Sequence, residues 1–373
     1  MDQSREKNKG RFKKLFKRYS NLIYLILLIG VTTVIILTQI DPITFINTLQ
    51  QTKIGFLLIG IGCVFFYWIL EAYMLLRLMR RENPEERFSF AFTLTMVGQY
   101  YNRIDPGSTG GQPIQLYELS KKGYGLGAGT AVLVQKYALY QVTITFLAIF
   151  SIIFCLTELN RSLDAAKWLI VIGITLNVAA VIFIFILILK PESAKKIISG
   201  CVKLLLKLRI LKNPEKYFKK VDHFVGEYKT AIGILKSHKK ETLQFFLISI
   251  VQTLIFYSVN YFIYLSLGLS GTNAITIISL QAILYVAVAF IPTPGSAGGA
   301  EACFLLIFGP VFGPGYTAVA MIIWRIITFY FILLFGGIYL SLHSIKTGKE
   351  KYEGSENDQS DQVERILIDK DEK

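Results

Sequence analysis

The sequence predicts an all-α polytopic membrane protein, with about six full spans and two Gly/Pro-broken re-entrant hairpins forming an inverted repeat. Three observations predict it. The chain of 373 residues is 53% hydrophobic with a mean hydropathy of +0.48, more apolar throughout than a soluble domain of that length. Its apolar residues are grouped into long stretches. Finally, two Gly/Pro-rich breaks of matching pattern interrupt two further apolar segments.

The stretches are 21–40, Ile54–Met79, Leu126–Phe154, Lys167–Leu189, 242–268 and 315–342. Each reaches the roughly 20 residues needed to cross a hydrocarbon core about 30 Å thick. The first follows a basic stretch, as a signal peptide would. Its exit, Thr38-Gln39-Ile40-Asp41-Pro42, offers no small-residue cleavage site, so it reads as a retained anchor.

Charge orders these spans. The formal net charge of +14 would point to a nucleic-acid partner in a soluble protein, but its distribution excludes that need. Of 40 Lys and Arg, 34 fall before the first span, at 77–87, at Lys121 and Lys122, in 190–240, or after the last span. With a cytoplasmic N-terminus all of these share one side, and only Lys53, Arg161 and Lys167 lie opposite, as the positive-inside rule requires. The expected location is a bacterial cell membrane, multi-pass, with both termini cytoplasmic.

Segment by segment, 1–20 is a basic N-terminus, 21–189 a first membrane half and 190–241 a basic amphipathic cytoplasmic segment. A second membrane half covers 242–345 and a disordered tail 346–373. The segment 190–240 mixes Lys with Ile, Leu, Phe and Tyr at helical spacing. It fits either helices lying on the anionic inner leaflet or a solvated connector with a basic face.

The hairpins occupy 88–122 and 274–310. In the first, Pro106-Gly107-Ser108-x-Gly110-Gly111 breaks the helix. In the second, Pro292 precedes Pro294-Gly295-Ser296-x-Gly298-Gly299. The fixed offset of 188 also pairs Gly125 with Gly313 and Gly127 with Gly315, and lays flanking spans on each other. An odd number of spans separates the breaks, so the repeat is inverted. Broken backbone survives at membrane depth only when buried in protein or lining a cavity. Inverted repeats with interrupted helices are a recurring plan of alternating-access transporters.

Three cations sit in the apolar segments. Lys136 and Arg325 each lie about ten residues into repeat-related spans, roughly 15 Å deep. Together they could hold an anionic headgroup, or each could be neutralised by a carboxylate, with Glu301, Asp105 and Glu71 as candidates. Arg103 and Asp105 flank the first turn and could pair with each other. Helices starting after Gly110-Gly111 and Gly298-Gly299 would aim backbone N–H groups at an anion, or the glycines could simply form turns. Gln112 and Pro113 open the first of these helices, where a missing N–H costs nothing. Glu301 could cap the second, couple protons or pair with Arg325; the ion pair is the preferred reading.

Enzyme signatures are missing. His223, His238 and His343 form no ligand cluster, and Cys63, Cys155, Cys201 and Cys303 have neither metal nor disulfide spacing. There is no G-x-S-x-G, P-loop or dinucleotide fingerprint. No cofactor, metal or catalytic residue is expected.

The run 102–135, with Pro106, Gly110-Gly111-Gln112-Pro113, Tyr117, Leu119 and Lys121-Lys122-Gly123, resembles the first signature of the lysylphosphatidylglycerol synthase transmembrane-domain family. Pro292-Thr293-Pro294-Gly295-x-x-Gly298-Gly299-x-Glu301 resembles the second. The resemblance covers about residues 20–345 and implies a flippase for a membrane phospholipid, such as lysylphosphatidylglycerol, or for a lipid-linked intermediate. On that reading the headgroup residues are those the depth and break arguments single out, Arg325, Lys136, Arg103, Gly110, Gly111, Gln112, Gly298 and Gly299, with Glu301 and Asp105 balancing charge. Rival readings are a phosphatidylglycerol lysyltransferase and a small-solute transporter. The chain ends soon after its last span, so transferase activity is expected only if a lipid-modifying enzyme partner supplies the soluble domain. Many relatives carry Arg where Gln115 stands and Arg at or beside Lys136.

Overall fold

A computed structural model describes residues 47–105, 110–154, 167–208, 214–237 and 239–343. The anchor 21–40, the breaks Pro106 and Gly107, Cys155, Arg161, His238 and the tail 346–373 lie outside them. Among the described residues the fold is helices and turns, with no strand. It is a multi-pass membrane protein.

Six helical stretches are long and apolar enough to cross a bilayer: Ile54–Met79, Leu126–Phe154, Lys167–Leu189, Lys240–Ser266, Pro294–Phe312 and Thr317–His343. Five match the expected spans. Pro294–Phe312, expected as the short arm of a hairpin, has the length and composition of a span as well.

Helix α1 (Ile54–Met79) ends where Asn83 and Pro84 turn the chain, and α2 (Phe88–Ile104) returns against it. The chain reverses again into α3 (Gly111–Lys121), which lies antiparallel on α2. Gly111 N–H donates to Asn102 Oδ1 at 2.9 Å, and one turn further Gln115 Nε2 donates back to the Leu94 carbonyl at 2.7 Å. Gly111 is required by this approach: a Cβ there would sit 2.7 Å from the Gly98 carbonyl oxygen. Next come α4 (Leu126–Phe154) and α5 (Lys167–Leu189). The two are pinned by a buried Gln141–Asn177 amide pair, which keeps polar groups satisfied inside apolar helices. Outward faces of α5 expose Trp168, Ile172, Phe183 and Leu189, as a lipid-facing helix does.

The basic segment folds as α6 (Pro191–Lys207) and α7 (Pro214–Ser237). The apolar face of α7 is covered by protein: Val221, Val225, Tyr228 and Ile232 are buried, and the helix packs along α4. Gly127 N–H, at the open end of α4, donates to Glu227 Oε2 at 2.7 Å, so α7 caps α4. Of the two readings of this segment, α7 fits neither in full, while α6 leaves Ile197, Leu204 and Leu208 exposed.

The remaining described helices complete the fold. Helices α8 (Lys239–Tyr257) and α9 (Val259–Ser266) form one span, followed by α10 (Ala274–Val288) and a turn containing Pro292, Pro294 and Gly295. Helix α11 (Gly299–Phe312) then packs on α10. Gly298 precedes it at φ +82°, ψ −56°, a conformation open to glycine alone. Close approach thus constrains both Gly-Gly pairs, since a Cβ on Gly299 would lie 2.2 Å from Ile291 Cδ1, while backbone conformation constrains the second pair alone, at Gly298. Last, α12 (Thr317–Arg325) continues through a π-turn, Ile326–Tyr330, toward His343. Trp68 of α1 stacks with Phe331 and Phe335 beyond that turn, joining the halves through an aromatic core.

Candidate functional site

Apolar helices that carry five charged side chains must arrange them, because a lone charge at bilayer depth costs about 2.5–3.5 kcal/mol on insertion scales. Four of the five form two ion pairs. Arg325 Nε lies 2.7 Å from Glu301 Oε1, with both side chains buried. The second oxygen of Glu301 accepts the Gly298 N–H at 2.7 Å, and Arg325 Nη1 donates to the Gly295 carbonyl at 3.0 Å. Cation and carboxylate together lock the second break. Arg325 Nη2, although buried, has no hydrogen-bond partner among the described residues.

The other pair is Lys136 of α4 with Glu71 of α1. Glu71 Oε2 also accepts from Gln99 Nε2 at 2.5 Å. Gln99 in turn receives Arg103 Nη1 on its backbone carbonyl at 2.8 Å and on its side-chain oxygen at 2.7 Å. The remaining face of Arg103 reaches the Thr328 carbonyl, 3.3 Å from Nη2, inside the π-turn that begins one residue after Arg325. A polar chain therefore runs Lys136–Glu71–Gln99–Arg103–Thr328 and ends in the π-turn that directly follows Arg325.

The structure brings together Arg325 and Glu301, as expected, and likewise Lys136 and Glu71. It does not pair Arg103 with Asp105. The Asp105 carboxylate instead accepts the Gly110 N–H at 3.2 Å, and no described carboxylate makes an ion pair with Arg103. The amides expected to face an anion at the breaks are met by protein: Gly110 by Asp105, Gly111 by Asn102 and Gly298 by Glu301. An oxygen-bearing side chain one turn away satisfies an open helix end better than bare lipid can, which is why the breaks cap themselves. Gln112 and Gly299 stay half-buried beside them. Gln115 is 2% exposed and packs on Gly98, filling its place without a charge.

Sequence reasoning missed two contributors. Gln99 is one, because a single amide in a span carries no signal until its partners are known. The other is a set of phenols from four helices: Tyr67, Tyr140, Tyr257 and Tyr285. Tyr257 and Tyr285 rings lie 5.1 Å apart, and Phe256 bridges Tyr67 and Tyr285. Tyr67, Tyr140 and Tyr285 are half-buried and within electrostatic reach of Arg103; Tyr285 also reaches Arg325. Tyrosine recurring in spans that could carry phenylalanine was the available signal.

A separate open cleft of about 260 Å³ lies where α3 turns into α4, lined by Glu82, Asn83, Lys122 and Tyr124 among others. Burial, and then the Glu86 carboxylate that accepts the Tyr124 hydroxyl at 2.9 Å, push that phenol well above its ordinary range. It stays a donor there. Among the described residues no group of His, Cys, Asp and Glu could hold a metal.

The profile described as "Lysylphosphatidylglycerol synthase TM region" matches residues 21–336. A curated relative, a "UPF0104 membrane protein" of Archaeoglobus fulgidus, is 24% identical over 285 residues, covering 75% of this chain and 84% of its own. No solved structure matches.

Proposed function

The chain belongs to the lysylphosphatidylglycerol synthase TM region family, and from that premise we propose that it is a flippase-type translocase moving a phospholipid between leaflets. The observation that carries the reading is the polar chain from Lys136 to the Thr328 carbonyl, in the π-turn directly after Arg325. It joins α1, α2 and α4 to the π-turn that follows α12, elements drawn from both halves of the molecule. Five ionisable groups at this depth, arranged around two self-capped breaks, are costly for a passive anchor and are what a headgroup path needs.

On this reading the two hairpins are re-entrant and form an inverted repeat. The starts of α3 and α11, Gly111 and Gly299, keep the offset of 188, which supports it. Lys136 and Arg325 enter the path already neutralised by Glu71 and Glu301, so a headgroup engages them by exchanging partners. Gln112, Gly110, Gly111, Gly298 and Gly299 shape the walls, and Asp105 holds the first break closed. The test is reconstitution into vesicles carrying a fluorescent phospholipid whose inner pool is protected from an external quencher. The protein should speed exposure of that pool over protein-free vesicles, and Glu71→Gln/Lys136→Gln should abolish the gain. Rates equal to those of empty vesicles would refute the reading.

A further inference from the structure

The polar chain leaves one cation unmatched. Lys136 and Arg325 each have a carboxylate, whereas Arg103 is held by neutral acceptors alone: the Gln99 carbonyl, the Gln99 side-chain oxygen and the Thr328 carbonyl. The Asp105 carboxylate brings the overall count of these six charges to zero, but it is spent on the Gly110 amide at the break. Within electrostatic reach of Arg103 stand the phenols of Tyr67, Tyr140 and Tyr285 and the Glu71 carboxylate, which Lys136 already engages. The hydroxyl of Tyr257, 1% exposed, is buried with no hydrogen-bond partner. Those of Tyr67, Tyr140 and Tyr285 likewise bond to nothing among the described residues, although their side chains remain partly accessible. A buried donor without an acceptor costs about 1–3 kcal/mol, a cost that falls on Tyr257, while the three half-buried phenols within electrostatic reach of Arg103 keep their hydroxyls open to an oxygen-bearing ligand.

Resting on the translocase reading above, we infer that the headgroup carried is an anionic phosphate ester bearing hydroxyls, seated on Arg103 with the phenols of Tyr67, Tyr140 and Tyr285 meeting its oxygens. The guanidinium fits phosphate because its fork offers paired donors. Hydroxyls of the headgroup suit phenols, which both donate and accept. An amine-bearing headgroup fits poorly. Its ammonium would face Arg103, and the nearest carboxylate, Glu71, is already taken by Lys136 and Gln99. A lipid of net positive charge is therefore disfavoured at this position, whatever other members of the family carry.

Binding and movement are measured separately, on the intact protein in vesicles of defined composition and in detergent. The probes are phosphatidylglycerol, phosphatidic acid, phosphatidylethanolamine and lysylphosphatidylglycerol, with glycerol 3-phosphate as the same chemistry free of acyl chains. Phosphatidylglycerol should bind at least about tenfold more tightly than phosphatidylethanolamine or the lysyl lipid, one charge-assisted contact's worth. Arg103→Gln should erase that preference. Should that variant fold poorly, Tyr67→Phe/Tyr285→Phe keeps the rings and removes only two hydroxyls. It should lower phosphatidylglycerol affinity several-fold while leaving phosphatidic acid nearly unchanged. Equal or tighter binding of the lysyl lipid or of phosphatidylethanolamine would overturn the headgroup assignment and leave the translocase intact. Glycerol 3-phosphate binding as well as phosphatidylglycerol would overturn the lipid source. Phosphatidylglycerol bound selectively but never moved would instead sink the translocase and keep the headgroup assignment.

Discussion

Glu301 and Arg325 show how one residue pair can be asked two questions at once. The carboxylate holds both the guanidinium and the Gly298 amide, so removing either charge alone strands the other in a buried site. Breaking a buried pair from one side costs about 3–5 kcal/mol, whereas replacing both partners is far milder. Glu301→Gln should therefore lower the unfolding temperature in detergent sharply, and Arg325→Gln somewhat less, because Glu301 keeps its amide partner. The double Gln variant should fold nearly as the parent does. If it also moves lipid at the parental rate, Arg325 serves structure alone; folding with lost transport assigns it to the headgroup path. The pairing was legible in the sequence, since a carboxylate in the first turn of a short helix and an Arg deep in the next one have few other partners. The role of Arg103 was not: sequence proximity pointed to Asp105, but a helix end two residues past Arg103 turned that carboxylate toward the Gly110 amide instead.

Among the elements, α7 departs most from what its composition promises. A basic amphipathic helix beside a membrane reads as a leaflet binder, yet its apolar side is used up on α4. Glycine makes that possible. A Cβ on Gly127 would lie 2.5 Å from the Phe224 carbonyl oxygen and 2.7 Å from the Tyr228 amide nitrogen. The sequence gives Gly125 and Gly127 only as mates of Gly313 and Gly315; nothing in the spacing says that one pair receives a helix. Glu227→Ala should remove the cap on α4 at a cost of about 0.5–2 kcal/mol. Amide exchange in 214–237 and at the start of α4 should rise together, with α10 and α11 unchanged. Exchange that rises in α7 alone would mean the carboxylate only supports its own helix.

For the whole molecule, the proposed inverted repeat makes a directional statement. If the repeat is inverted, the turns that close the two hairpins face opposite compartments. Single cysteines at Lys121 and Pro314, both exposed, in a background lacking the native cysteines, should react with an impermeant reagent from opposite sides of sealed vesicles. Reaction of both from one side would end the inverted-repeat reading. The span pattern was readable because apolar length alone sets it. That the second short arm, Pro294–Phe312, is as long and apolar as a span was not, because its first residues are a Gly/Pro turn rather than a helix.

The π-turn at Ile326–Tyr330 carries a consequence of its own. An extra residue wound into one turn is a dislocation, and a dislocation can glide along a helix without melting it. Each residue of glide would turn the stretch it passes by about 100°. Toward the N-terminus, glide would swing Arg325 away from Glu301; toward the C-terminus, it would rotate Phe331 and Phe335 off Trp68. Arg103, bonded to the carbonyl at the defect's centre, acts as its pinning site. An anion that drew Arg103 away would then leave the defect unpinned, so that a headgroup bound against one half could turn a helix of the other.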